Sequence, residues 1–143
     1  MSLNTPYDDD NIFAKILRGE MPSVKVYEDD DVLSFMDVFP QSRGHTLVIP
    51  KTKATNLFDL PGEALQTLIA RVQTIADAVR KGLEPDGVIV TQFNGADAGQ
   101  TVFHIHFHII PRYAGEANSP HASGAMADTD ELTALAEKIK AAL

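Results

Sequence analysis

Residues 103–110, FHIHFHII, set three histidines and four apolar residues in strict alternation before a closing Ile110. A period of two is the period of a β-strand, whose successive side chains leave opposite faces. Phe103, Ile105, Phe107 and Ile109 are therefore expected to face a core, with His104, His106 and His108 together on the other face. The strand reads as QTVFHIHFHIIP, residues 100–111. The apolar residues explain the strand; they do not explain why three of the chain's five histidines share one face of it.

The other elements follow from period and punctuation. NIFAKILRG reads as a short helix, with Ile12, Phe13, Ile16 and Leu17 on one face and Gly19 as its stop. Residues 24–28, 32–38, 45–50 and 87–93 read as strands. Residues 61–82 carry an apolar stripe of Leu65, Leu68, Ile69, Val72, Ile75 and Val79, with Pro61 in the first turn and Gly82 at the end. Residues 94–99, NGADAG, form a turn-rich loop, and residues 114–128 lack apolar periodicity and are expected as a loose loop. A last helix is expected over 129–142, with Asp128 and Glu131 as a capping pair and Leu132, Leu135, Ile139 and Leu143 as its stripe. Short connections between strands favour a mostly antiparallel sheet. The fold class is thus α+β: a five-stranded sheet with a short N-terminal helix, one long central helix and a C-terminal helix. One domain is expected over 1–143, with its core at 11–115 and a loop plus helix after it.

Composition narrows the function. No cysteine is present, which excludes disulfides, thiolate metal sites and a cysteine nucleophile. A net charge of −8, with 12 basic residues scattered, argues against binding DNA or RNA polymers. The polar start MSLNTPYDDD is unlike a secretory signal, and no apolar run is long enough to cross a bilayer, so a cytoplasmic protein without a membrane partner is expected.

The histidine row admits three chemistries. It can be a solvated face. It can ligate a metal through two of the three, helped by His45 or Asp37, since the outer pair of a strand would sit about 13 Å apart and metal–nitrogen bonds are only ~2.0–2.1 Å. Or it can be catalytic, with one imidazole as nucleophile and its neighbours as donors to a bound anion, which suits attack on phosphorus. The loop before the strand supports the third reading. Gly95 and Gly99 allow close backbone approach, Asn94, Gln100 and Thr101 are polar, and the N–H groups can form an anion nest. It is not a P-loop, because no Gly-Lys-Ser/Thr follows.

HIHFHII (104–110) fits the His-φ-His-φ-His-φ-φ signature of the histidine triad superfamily. GHTLVIPK (44–51) and NIFAKILRGEMPSVKVYEDDDVLSFMDVFPQ (11–41) resemble further landmarks of that family, nearest to its Hint-like nucleotide-binding branch. AGQTVFHIHFHIIPRYAG also resembles the dinucleoside polyphosphate hydrolase branch. The resemblance implies a metal-independent nucleotidyl hydrolase acting on purine nucleoside 5′-monophosphate derivatives, usually phosphoramidates. A dinucleoside polyphosphate hydrolase and a non-catalytic nucleotide-binding scaffold remain the alternatives.

In residue terms, the resemblance makes His106 the nucleophile, His108 the partner at the phosphate and leaving group, His45 the histidine of the neighbouring strand and His104 a support behind His106. It places Asp37 and Val38 at the ribose and base, and Asn94, Gly99, Gln100 and Thr101 along the phosphate. Ile12, Phe13, Ile16 and Phe35 are candidates to wall the base pocket, though core packing accounts for each equally well. An AMP-like purine nucleotide is the implied ligand, with no cofactor, and a homodimer joined sheet edge to sheet edge is the implied assembly. Many relatives bind a structural zinc through Cys-x-x-Cys and a histidine where this chain has Asn11, Ala14 and Lys53, so no structural zinc and no other metal are expected here. The segment after Arg112 departs from the family pattern.

Overall fold

The computed structural model describes residues 3–117 and 126–143; His121 and most of the predicted loose loop lie outside the described residues. Its five strands are β1 (Lys25–Glu28), β2 (Val32–Met36), β3 (Thr46–Pro50), β4 (Gly87–Thr91) and β5 (Phe107–Arg112). They form one antiparallel sheet in the order β1-β2-β3-β5-β4. The helices are α1 (Ile12–Leu17), α2 (Gly62–Leu83) and α3 (Thr129–Ala141). A tight turn over residues 29–31 joins β1 to β2, and the longer segment 37–45 joins β2 to β3. The chain then crosses through α2, lays β4 at the edge, and returns as β5 between β3 and β4. The histidine segment is thereby led into the middle of the sheet.

Alternation along the strands gives the sheet two apolar faces. Val32, Met36, Val48, Ile105 and Ile109 join the larger core with Leu68, Val72, Ile75, Ala78 and Val79 of α2 and Leu132, Leu135, Ala136 and Ile139 of α3. Each such Leu, Ile or Val contributes about 1.5–3 kcal/mol by leaving water. Leu33, Phe35, Leu47 and Ile49 point to the other face, where Phe13 of α1 completes a smaller core. Asn11 caps α1 by accepting the Ala14 N–H at 2.9 Å. Asp128 caps α3 by accepting the Glu131 N–H, as its spacing suggests.

Several expectations need correction. β5 begins at Phe107, not at residue 100. Its ladder to β3 ends at the Val48–Phe107 pair, and β4 pairs with it only as far as Thr91 opposite His108. Residues 101–106 continue outside any strand, and of these the Ile105 N–H reaches back to the Ala54 carbonyl at 2.9 Å. β2 stops at Met36 because Asp37 opens a turn, its Oδ1 accepting the Phe39 N–H at 2.8 Å. Gly82 lies within α2 rather than closing it; the closing residue is Glu84, left-handed at φ 53°, followed by Pro85. Ile69 and Leu143 are exposed instead of filling the stripes of α2 and α3. No helix of the described residues is long and apolar enough to cross a membrane.

Candidate active site

The site is built on the α1 face of the sheet. His45 directly precedes β3, His108 belongs to β5, and His104 and His106 sit on the segment that leads into β5. All four rings are buried, His106 least so at 5% exposure. The His106 ring meets Phe13 edge-on at 4.9 Å and the His108 ring at 4.9 Å, and His108 continues to Phe93 at 5.3 Å and His45 at 5.2 Å.

Hydrogen bonds to backbone groups fix the tautomers, because a carbonyl only accepts and an N–H only donates. His106 Nδ1–H donates to the carbonyl of His104 at 2.7 Å. A neutral ring held this way carries its lone pair on Nε2. His104 Nε2–H donates to the Pro50 carbonyl at 2.8 Å, so its Nδ1 is an acceptor, and the Tyr7 hydroxyl donates to it at 2.6 Å. Burial holds the His104 pKa below the ordinary histidine value, which keeps this ring neutral. The Gln41 N–H donates to His45 Nδ1 at 3.0 Å, so His45 carries its proton on Nε2. That Nε2 is 2.9 Å from His108 Nδ1 and 3.4 Å from Asp37 Oδ2. His45 thus donates to His108 Nδ1, and the proton of neutral His108 rests on its Nε2. The row consequently presents a lone pair at His106 beside an N–H at His108.

The same tautomers bear on how well the row fits a metal. Asp37, His45 and His108 offer ligand atoms within 4.8 Å of one another, which on distance alone would suit an ion. A metal needs the lone pair of His45 Nε2, whereas the Gln41 N–H keeps the lone pair on Nδ1 and the proton on Nε2. In this arrangement His45 Nε2 is a donor toward His108 Nδ1 and Asp37 Oδ2. A structural zinc of the kind its relatives carry fits no better. Asn11 Oδ1 caps α1, Ala14 has no donor atom, Lys53 is paired with Asp9 at 2.7 Å, and both nitrogens of His104 are engaged.

The remaining predicted residues divide. Asp37 is brought to the histidines, its side chain 16% exposed. Gly99, at φ 107°, packs on Phe93, whose ring also touches His108, so the loop of residues 94–99 meets the row through that phenyl group. Gln100 is buried and uses its carboxamide inside the loop. Its Oε1 accepts the Gly95 N–H at 2.8 Å, and its Nε2 donates to the carbonyls of Thr55 and Val102. Asn94 Oδ1 accepts the Leu57 N–H at 2.9 Å, joining the loop to residues 54–57. Both amides shape the loop. Thr101 is exposed. The Val38 side chain packs against the larger core, and its carbonyl accepts the Ala127 N–H at 2.8 Å. Of the proposed base-pocket wall, Phe13 touches His106 and Phe35 backs Phe13 at 5.3 Å, whereas Ile12 is exposed. A groove between α2 and β4 contains none of these residues.

Sequence reasoning missed Tyr7, Gln41 and Pro50. Gln41 and Pro50 act through backbone groups, which carry no residue signature. Tyr7 lies 97 residues from its partner, in a segment that reads only as polar and acidic.

Comparison with known proteins agrees with this fold. The HIT domain model matches residues 18–115. The chain is 49% identical to the protein hit of Bacillus subtilis over 102 residues, which is 71% of this chain and 70% of that one. It is 43% identical to the adenylylsulfatase HINT3 of Arabidopsis thaliana over 103 residues, 72% of this chain and 52% of that one. The fold superposes on a Hit-like protein of Bartonella henselae with a TM-score of 0.91 and 52% identity, covering 97% of this chain and 100% of the other. With sequence and fold in accord, the chain belongs to the histidine triad (HIT) family.

Proposed function

We propose that this protein hydrolyses purine nucleoside 5′-monophosphate derivatives, phosphoramidates foremost, through a covalent nucleotidyl-histidine on His106. The observation that carries this reading is the 2.7 Å bond from His106 Nδ1–H to the His104 carbonyl, which makes Nε2 the nucleophilic nitrogen. In the first step the Nε2 lone pair forms a bond to the α-phosphorus as the phosphorus–nitrogen bond of the substrate breaks, and the departing amine takes up a proton. His108 Nε2–H donates a hydrogen bond to the charge that develops there. Water then attacks the same phosphorus, the bond to His106 breaks, and the proton water loses balances the one the amine gained. Nucleoside monophosphate and neutral imidazole remain. Asp37, beside His45 and His108, is suited to accept hydrogen bonds from the ribose hydroxyls. No step needs a metal or cofactor. The name of the Arabidopsis relative, an adenylylsulfatase, also denotes an adenylyl compound as substrate.

The test is turnover of adenosine phosphoramidate and of diadenosine polyphosphate by the parent and by His106→Ala. The phosphoramidate should be the better substrate, and the variant should lose roughly a thousandfold or more in kcat while still binding AMP. A variant as active as the parent refutes the reading, and preference for the dinucleotide moves the protein to the other hydrolase class.

The same reading includes a homodimer. β4 is an edge strand with Ile89 and Val90 exposed, and Ile69 of α2 is exposed beside it. An uncovered edge with apolar residues on both faces is suited to antiparallel pairing with a second copy of itself.

A further inference from the structure

The N-terminal segment, residues 3–11, lies across Arg18, Lys53, Asn56 and His104. Lys53 pairs with Asp9 at 2.7 Å, Arg18 Nη1 donates to the Asp9 carbonyl at 2.8 Å, and Asn56 Nδ2 donates to the Leu3 carbonyl at 3.1 Å. The lysine holds the Asp9 carboxyl below its ordinary pKa. In the middle of this strap stands Tyr7, half-buried, its ring edge-on to His104 at 5.6 Å and its hydroxyl on His104 Nδ1 at 2.6 Å.

His104 lies outside the β5 ladder, so the peptide that carries its carbonyl takes its orientation from the Ile105 N–H of the same amide plane, bonded to the Ala54 carbonyl at 2.9 Å, and from the groups that grip the His104 ring. The ring is gripped at both ends, by Tyr7 and by the Pro50 carbonyl. The same peptide's carbonyl receives His106 Nδ1–H. We propose that Tyr7 is a positioning residue for the reaction: its hydroxyl fixes the His104 ring, and with it the carbonyl that keeps the His106 lone pair on Nε2. Removing the hydroxyl leaves a buried acceptor without its donor, which the ring relieves by turning. That turn loosens the carbonyl on which His106 depends. The proposal rests on His106 being the nucleophile.

The experiment is Tyr7→Phe, read by kcat, KM and the ring ¹⁵N shifts of the histidines. In the parent, His104 should appear as the Nε2–H tautomer and His106 as the Nδ1–H tautomer. In the variant, kcat should fall about tenfold with KM changed by no more than about twofold, and the His106 ring signals should move toward mixed tautomers. Lys53→Ala, which loosens the strap without touching either ring, should give a smaller change in the same direction. Parental kcat and unmoved His106 signals in Tyr7→Phe overturn the proposal. So does a parent whose His104 shows the Nδ1–H tautomer, a measurement that needs no variant to fold. His106→Ala, assayed alongside, separates the outcomes: if it stays active, the nucleophile assignment itself has failed, independently of Tyr7.

Discussion

A histidine has two nitrogens, and its chemistry begins when the surroundings distinguish them. The alternation in residues 103–110 told which face the rings would share, but the groups that set each proton are Gln41, Pro50, Tyr7 and the His104 peptide, and three of these act through backbone atoms. Residue-level reading of side chains reaches the row and stops short of its tautomers. Asp29 shows the same dependence on distant partners. Burial works to raise its pKa, but the Arg71 guanidinium, the Tyr27 hydroxyl and the N–H groups of Asp31 and Val32 outweigh it and hold the carboxyl well below the usual range. A depressed carboxyl stabilises the fold above its unfolded pKa of ~3.9, and that contribution fades as pH falls toward the folded value. Asp29→Asn should therefore cost about 1–2 kcal/mol in urea unfolding at pH 7, with the gap to the parent narrowing below about pH 4. An equal gap at pH 7 and pH 3 would remove Asp29 from the acid response.

At the scale of elements, the helical stripes were legible because Leu68, Val72, Ile75 and Val79 repeat over many turns. Strand ends were not, because they depend on where the neighbouring strand stops. Gly82 marks the limit of punctuation: a glycine near a helix end suggests a stop, yet here it makes room for another helix. A Cβ at this position would lie 2.6 Å from the Lys138 carbonyl oxygen and 3.3 Å from the Ile139 Cα, both backbone atoms of α3. Gly82→Ala gains up to ~1 kcal/mol of helix propensity but must push α3 away, at about 1–3 kcal/mol. The expected outcome is a lower Tm with greater amide exchange in α3; a raised Tm would mean that the contact yields without loss.

At the scale of the whole molecule, no local pattern foretold that β5 would be inserted between β3 and β4, since that follows from where α2 delivers the chain. The insertion separates duties between two faces: α2 and α3 seal the larger core on one, and the imidazoles collect under α1 on the other. Of the two edge strands, β1 and β4, it is β4 that exposes Ile89 and Val90. Val90→Glu should convert the proposed dimer to a monomer in light scattering at micromolar concentration, and an unchanged mass would place the assembly surface elsewhere. The early end of the β5 ladder has its own consequence. Regular pairing would have offered the His104 oxygen to an adjoining strand's amide, and the imidazole two residues on would have lacked its anchor. Copying the three histidines onto an unbroken hairpin should therefore reproduce their spacing without their reactivity, because what the motif borrows from its host is the gap in the sheet.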